Sequence, residues 1–172
     1  SAGHFYPYKK YDNLIRGFAL YVQQTGEKMN YLIAGGAGTR GSDSALTALA
    51  QKLGVAERVR LLGPLPYAIT LGLIARSSAF LFGSLVENCP NALLEAMALA
   101  KPILCSDCSS MPEFAGDTVL YINPEQPGGI AAGLQRILHD APLAEQLGKA
   151  AQARVNAMPG VDEMAAAMQA AR

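Results

Sequence analysis

The stretch of sequence that decides the fold is Glu87-Asn88-Cys89-Pro90-Asn91-Ala92-Leu93-Leu94-Glu95-Ala96-Met97. The apolar run at residues 79–83, just before it, is typical of a buried strand. Pro90 suits the first turn of a helix, because that turn does not need its backbone N–H. Leu93 and Met97 lie four residues apart and would form the buried face of this helix, which is expected to end before Pro102. The stretch therefore predicts a helix that begins at the C-terminal end of a strand.

Two carboxylates flank this predicted helix start. Asn88 or Cys89 is the expected N-cap, and the backbone N–H groups of such a start favour a bound phosphate. Glu95 has no Lys or Arg three or four residues away, so no ion pair within the helix explains it. Glu87 and Glu95 would face sugar hydroxyls, because carboxylates accept hydrogen bonds and repel phosphate. The segment suits a sugar nucleotide, although any α/β protein contains strands followed by capped helices.

Size and composition exclude several classes of protein. The chain has 172 residues, 51% hydrophobic and 16% charged, and fits one domain or part of a larger enzyme. Its net charge of zero argues against a general affinity for nucleic acid or acidic membranes. The apolar runs are too short for an integral membrane segment, and three cysteines indicate a reducing compartment. We therefore expect a cytoplasmic protein without a nucleic-acid partner.

Apolar and amphipathic segments alternate along the chain. Strands are predicted at residues 31–34, 59–62, 79–83, 102–106 and 118–122. Helices are predicted from Asp12 or Asn13 to Gly26, from residues 42–44 to Gly54, and at residues 67–77, 88–100, 109–114, 127–139, 142–157 and 161–171. Residues 1–5 look like the end of a strand, and residues 6–10 like a loop. This order predicts an α/β fold, a Rossmann-like doubly wound parallel sheet in three αβα layers.

A glycine motif follows the first predicted strand. Gly36-x-Gly38-x-x-Gly41 matches the dinucleotide fingerprint, but that fingerprint also needs an acidic residue at the end of the next strand. This chain has Gly63-Pro64 there. A tight turn that lets a ligand approach the backbone of Gly36 is therefore favoured over NAD binding.

The sequence lacks the usual ligands of a metal that would bridge a diphosphate. No Asp-x-Asp occurs in it, and Cys105 and Cys108 are expected to be structural because the first would end a buried strand. The charge of a departing diphosphate would then be stabilised by Lys9 and by the backbone N–H groups of residues 88–92. Lys10 is a rival of Lys9 for this role. No cofactor and no metal are expected.

With these motifs placed, the chain resembles the C-terminal, donor-binding domain of GT-B glycosyltransferases, in particular the retaining family 4. Glu87-x7-Glu95 continues as Ala96-Met97-Ala98-Leu99-Ala100-Lys101-Pro102-Ile103, similar to the family's E-x7-E-A-M-A-x-G-x-P-[VI]. Support comes from Tyr8-Lys9, Gly35-Gly36 and Leu62-Gly63 in the same order as in the family. The resemblance covers nearly the whole chain. It implies that residues 1–172 form a single nucleotide-sugar-binding domain, with C-terminal helices at about 127–171 and the acceptor-binding N-terminal domain outside it.

The resemblance also implies roles for particular residues. The first Glu of the motif contacts the donor sugar and the second holds the ribose, which implies these roles for Glu87 and Glu95. The loop lysine of the family implies Lys9 as the cation at the diphosphate, so that Lys9 and Glu87 would be the catalytic residues. The remaining implied contacts to the donor nucleotide are Leu62, Gly63, Pro64, Asn88, Asn91, Ala92 and Leu93.

Two positions depart from the family pattern. His4 stands where the family usually has an arginine, so His4 is a further candidate for the phosphate site with a weaker, titratable charge. Asn88-Cys89-Pro90-Asn91 replaces the usual glycine-rich turn, which leaves the shape of the sugar pocket open.

The function implied is retaining, metal-independent transfer from a UDP- or GDP-sugar. The acceptor would be a sugar, a lipid-linked glycan or a small molecule bound through the N-terminal domain, and the full-length enzyme could work at the inner face of a membrane. The 172-residue chain alone would bind nucleotide without catalysing transfer. A sugar-nucleotide epimerase of the same plan and a non-catalytic docking module remain as alternatives, while an NAD-linked oxidoreductase is disfavoured by Gly63-Pro64.

Overall fold

A computed structural model describes residues 1–36 and 38–159 of the chain. Its strands are β1 (Tyr31–Ala34), β2 (Val59–Gly63), β3 (Phe80–Phe82), β4 (Ile103–Ser106) and β5 (Leu120–Ile122). Its helices are α1 (Tyr11–Thr25), α2 (Ser42–Lys52), α3 (Tyr67–Arg76), α4 (Asn91–Ala98), α5 (Met111–Ala115), α6 (Pro127–His139) and α7 (Ala141–Asn156). The helix predicted at 161–171 lies outside the described residues. The other predicted elements are present, and their ends differ from the predicted ones by a few residues.

All paired strands run parallel, as predicted. β1 pairs with β2, while β4 lies between β3 and β5. The N-terminal residues connect these two groups, because Ala2 pairs with Ala34 of β1 and the Ser1 hydroxyl donates to the Leu81 carbonyl oxygen of β3 at 2.6 Å. The order across the sheet is therefore β2, β1, residues 1–3, β3, β4, β5. From residues 1–3 the chain adds β1 and β2 on one side of the sheet, and then β3, β4 and β5 on the other side. Ligands of such sheets bind beyond the C-terminal ends of the strands, near the place where the strand order changes side.

Helices cover both faces of the sheet, because successive strand residues point into two separate cores. On one face, Leu81 and Leu104 are buried with side chains of α1 and α6. On the other face, Phe82 and Cys105 are buried with side chains of α4 and α7. Strands that are apolar on both sides are typical of a parallel sheet covered by helices. The predicted three-layer, doubly wound α/β fold is confirmed.

The start of α1 differs from the prediction. A 3-10 turn (Pro7–Lys9) replaces part of the predicted loop, and Lys10 follows it with φ of 51° and acts as the N-cap of α1. Asn13 does not cap the helix, because its side-chain amide donates to the Pro124 carbonyl oxygen at 3.1 Å. The backbone of the 3-10 turn thus determines where the helix begins.

The start of α4 also corrects the prediction. Pro90, rather than Asn88 or Cys89, is the N-cap residue, with ψ of 66°. Its carbonyl oxygen accepts hydrogen bonds from the N–H groups of Leu93 and Leu94 at 2.9 and 3.1 Å, which is the backbone role of an N-cap. No side chain caps the helix, so its first N–H groups depend on backbone contacts or on a ligand.

The α7 start provides a test of local helix stability. Asp140 caps this helix with its Oδ1, which accepts a hydrogen bond from the Leu143 N–H at 3.0 Å. Asp140→Ala is expected to reduce the free energy of unfolding by about 1 kcal/mol, the usual loss for an N-cap. Urea denaturation would measure it, with the exposed Asp117→Ala as control. Equal stability of the two variants would contradict the capping role.

Candidate functional site

The residues predicted to bind the donor follow the C-terminal ends of successive strands. Lys9 lies in the turn after residues 1–3, Gly36 follows β1 and Pro64 follows β2. Glu87 lies between β3 and α4. Because the C-terminal ends of parallel strands meet at one edge of a sheet, the fold places these loops along the same edge.

Lys9 and Glu87 are in direct contact. Lys9 Nζ forms an ion pair with Glu87 Oε1, and the two side chains are only 15% and 14% exposed. Lys9 Nζ also lies 5.6 Å from the ring centroid of Tyr8 and 5.5 Å from that of Phe82, within the range of cation–π attraction. Desolvation, and after it the charge of Glu87, raises the pKa of Tyr8. A half-enclosed ammonium and carboxylate therefore face each other at the edge of the sheet.

Two serines that the sequence analysis did not single out fix the backbone of Glu87. Ser110 Oγ donates to the Glu87 carbonyl oxygen at 2.8 Å, and Ser109 Oγ does so at 3.2 Å. Both serines belong to the loop that connects β4 with α5. These contacts join two loops more than twenty residues apart in the chain. Local sequence patterns contain no signal for such a contact.

The start of α4 presents its predicted phosphate-binding residues to solvent. Asn88 and Asn91 are exposed, although Pro90 between them is buried. The Asn91 N–H donates to the carbonyl oxygen two residues earlier, and the Leu93 N–H donates to Pro90. Leu93 is also fully buried. Among residues 1–36 and 38–159, the Ala92 N–H has no hydrogen-bond acceptor, so a ligand would meet the backbone of Ala92 rather than that of Leu93.

The glycine loop after β1 packs against the segment at residues 3–6. Gly35 has φ of 149°, and a Cβ at this position would lie 1.9 Å from the Gly3 carbonyl oxygen. A Cβ on Gly36 would lie 3.5 Å from His4 Nδ1, so these two predicted site residues are neighbours. His4 is exposed. The close approach of the Gly3 backbone explains Gly35, whereas the contact at Gly36 is an ordinary one that a side chain could tolerate.

The end of β2 lies next to this glycine loop. The Gly63 carbonyl oxygen accepts a hydrogen bond from the Gly35 N–H at 2.9 Å, and Gly63 has φ of 70°. Leu62 is half-buried and Pro64 is exposed. The positive φ turns the chain away from the sheet immediately after the strand. Leu62, Gly63 and Pro64, which the resemblance implies as donor-nucleotide contacts, thus form a partly accessible surface at the end of β2, the β2 ledge.

Glu95 lies on the second turn of α4, half-buried, and faces α3. The Glu95 carboxylate, foremost, raises the pKa of the Tyr67 phenol at the start of α3. Tyr67 is 65% exposed and follows the β2 ledge by three residues. Sequence analysis did not single out Tyr67, because its neighbour Glu95 is distant in the chain. Glu95 is therefore close to Tyr67, the first residue of α3.

Of the predicted site residues, only Leu62 lines the main apolar cavity of the described chain. It has a volume of about 350 Å³ and is lined by residues such as Asn30 and Ser78, which precede β1 and β3. Ala34 and Leu62 line it as well, but it does not extend to Lys9, Glu87 or Glu95, the charged residues at the edge where sheets of this type bind ligands. The geometry of the loops, rather than cavity size, identifies the candidate site.

Other candidate groups are separate from this site. Cys105 is buried in β4, and burial raises the pKa of its thiol well above the ordinary value. Cys89 and Cys108 are also free thiols, so the CxxC does not form a disulfide.

In the described part of the chain, three or more His, Cys, Asp or Glu side chains nowhere converge as metal ligands would. No helix within the same residues has the length and apolar character needed to cross a membrane.

Two curated proteins are similar to most of this chain. O-antigen chain mannosyltransferase B of Escherichia coli is 28% identical over 138 residues, which are 80% of this chain and 36% of the relative. D-inositol 3-phosphate glycosyltransferase of Corynebacterium diphtheriae is 25% identical over 153 residues, covering 87% and 36% of the two chains. The chain thus spans about a third of the length of these curated relatives.

Solved structures of other proteins share this fold. HepE of Anabaena, solved in complex with UDP and glucose, matches 98% of this chain and 48% of its own with a TM-score of 0.85 and 21% identity. A profile of the family described as "Glycosyl transferases group 1" matches residues 1–154, almost the whole described sequence. The chain belongs to the glycosyl transferases group 1 family.

Proposed function

We propose that the chain is the donor-binding domain of a glycosyltransferase that uses a nucleoside diphosphate sugar. The observation that carries the proposal is the Lys9–Glu87 ion pair at the C-terminal edge of the sheet, four residues before α4 begins. Two comparisons support it: a curated relative is named a mannosyltransferase, and HepE was solved with UDP and glucose. The nucleotide would be UDP or GDP.

The site offers complementary groups for the parts of such a donor. The Lys9 ammonium and the Ala92 N–H would donate to the diphosphate and stabilise its charge as it departs, without requiring a metal ion. Glu87 would accept hydrogen bonds from the sugar hydroxyls, and Glu95 from the ribose. The β2 ledge, at Leu62 to Pro64, would contact the base.

Transfer would break the bond between the anomeric carbon and the diphosphate oxygen, and form a new bond from that carbon to the oxygen of an acceptor hydroxyl with the same configuration. The proton of that hydroxyl would leave with the departing nucleoside diphosphate. The acceptor, a sugar, a lipid-linked glycan or a small molecule, would bind through an N-terminal domain outside this chain. A cytoplasmic enzyme, working at the inner face of a membrane, fits such acceptors. The acceptor, the N-terminal domain and the location concern the whole protein and are proposed, because the chain covers only 36% of the length of each curated relative.

Calorimetry with UDP, GDP and their sugars tests the proposed function. We expect at least one of the two diphosphates to bind at one site per chain. Its nucleoside, uridine or guanosine, should bind more weakly, because the Lys9 and Ala92 donors would contact phosphate. EDTA should leave the affinity unchanged. Failure of every nucleotide and nucleotide sugar to bind would overturn the proposal, and binding only with added Mg²⁺ would overturn its metal-independent form.

A further inference from the structure

Ser84 is a buried hydroxyl without a partner. It lies two residues beyond β3 and is 1% exposed. Its Oγ has no hydrogen bond to any residue of 1–36 and 38–159. A buried hydroxyl left without a hydrogen bond costs free energy, so such a group in a native protein indicates a bound ligand or water.

Ser84 lines a small cavity that Lys9 also lines. Besides Ser84, the polar residues that line this cavity are Lys9 and Tyr11, and the remaining wall is formed by Ala2 and residues 81–83. The cavity volume is about 10 Å³. One water molecule needs roughly 10–15 Å³ by this measure, and two to four polar partners. A sugar hydroxyl with its carbon, or a phosphate oxygen with its phosphorus, is too large for this space.

The three polar groups have complementary hydrogen-bonding capacity for one water. Lys9 has three ammonium hydrogens, of which Glu87 takes one. The Tyr11 hydroxyl donates to the Gly3 carbonyl oxygen at 3.3 Å, which leaves its oxygen able to accept. Burial, and after it Glu87, raises the pKa of Tyr11, so the phenol is neutral. A water could accept from Lys9 and Ser84 and donate to Tyr11, which makes three hydrogen bonds.

We infer that this cavity is a binding site for a single ordered water, and that Ser84 positions Lys9 through it. With one ammonium hydrogen on Glu87 and one on the water, the third can donate to a bound diphosphate. The positioning role therefore rests on the proposed function. The water site itself rests only on Ser84, Tyr11 and Lys9.

A high-resolution crystal structure of the unliganded chain tests the water site without any donor. We expect density for one water within hydrogen-bonding distance of Ser84 Oγ in the wild type, and its loss in Ser84→Ala. An empty cavity in the wild type would overturn the inference. This result does not depend on nucleotide binding, so it separates failure of the water site from failure of the proposed function.

A double-mutant cycle on nucleotide affinity tests the positioning role. Ser84→Ala is expected to weaken binding of the preferred diphosphate about three- to tenfold in the wild-type background, and to have no effect in Lys9→Ala. A purely structural role would weaken both backgrounds equally, and that result would overturn the positioning role. A wild type that binds no nucleotide would also overturn it, while leaving the water site to the crystal structure.

The control is a serine at the other end of the same strand. Ser77 precedes β3, and its hydroxyl donates to the Ile74 carbonyl oxygen at 2.8 Å. Ser77→Ala removes a hydrogen bond far from Lys9 and should leave nucleotide affinity unchanged. If Ser84→Ala fails to fold, Ser84→Cys keeps nearly the same volume with a weaker hydrogen-bonding group. If folded Ser84→Cys bound nucleotide with unchanged affinity, and its crystal structure still showed the water in the cavity, the result would count against the role of the hydroxyl.

Discussion

Replacing Lys9 by alanine is expected to weaken binding of the preferred nucleoside diphosphate by about 1.5–3 kcal/mol, the usual range for a hydrogen bond to a charged group. Lys9 is the cation that the structure holds against Glu87 and between two aromatic rings. Without it, a diphosphate would meet the carboxylate of Glu87 with no positive charge between them. Calorimetry of the folded variant measures the change in affinity.

Lys10→Ala is the matched control for this experiment. Lys10 is the next residue, but its Nζ contacts Glu125 at 3.0 Å, away from Glu87. The sequence alone left Lys10 as a rival of Lys9, and the structure separates them by their partners. We expect Lys10→Ala to change affinity little, because the Lys10 ammonium is paired with Glu125 rather than with Glu87. Equal losses in both variants would show that the site senses general positive charge rather than the Lys9 ammonium.

Lys9→Ala also has an expected effect on folding, which must be separated from binding. It would leave the Glu87 carboxylate, 14% exposed, without its cation. Removing one partner of a poorly hydrated ion pair destabilises a protein more than removing both charges, because the remaining charge is left without compensation. Urea denaturation should therefore show lower stability for Lys9→Ala than for the double variant with Glu87→Gln. The reverse order would mean that Glu87 does not depend on Lys9 in the folded chain.

Much of the fold could be predicted because the relevant signals are local. The strands are largely apolar, with Arg60 of β2 and Ser106 of β4 as polar exceptions, and α6 begins at Pro127 and covers the predicted range 127–139. The errors lie at helix starts, where the backbone replaced the expected side-chain caps. At α4, Pro90 takes a ψ that is not helical and becomes the N-cap. Such choices depend on the path of the loop at residues 83–90 between β3 and α4, which the sequence pattern does not specify.

The location of the candidate site could be predicted from the sequence, but the contacts within it could not. Lys9 and Glu87 were expected at one edge of the sheet from the order of strands and from the family resemblance. The contacts that hold them are tertiary: Ser110 reaches Glu87 from another loop, and Phe82 lies under Lys9. The buried Ser84 hydroxyl has no signature in the sequence either, since a serine after a strand is ordinary. Only the coordinates show that its oxygen has no partner among the described residues.

Glu95→Ala is expected to weaken nucleotide binding by about 1–3 kcal/mol, because a charged acceptor of the ribose hydroxyls would be lost. Glu95 is half-buried on α4, and its carboxylate is close enough to Tyr67 to raise the pKa of that phenol. The loss should appear with UDP or GDP alone, without the sugar, since the predicted partner is the ribose. Calorimetry of the folded variant provides the measurement.

Two controls separate a ribose contact from indirect effects. Glu113→Ala removes an exposed carboxylate from α5 and should leave affinity unchanged. The backbone carbonyl oxygen of residue 113 still accepts the hydrogen bond from Arg154 in this variant. Tyr67→Phe keeps the ring beside Glu95 but removes the hydroxyl, so a loss as large as that of Glu95→Ala would assign the effect to the tyrosine. Unchanged affinity in folded Glu95→Ala would refute the ribose role. The Lys9–Glu87 pair would then have to account for nucleotide recognition together with the Ala92 N–H.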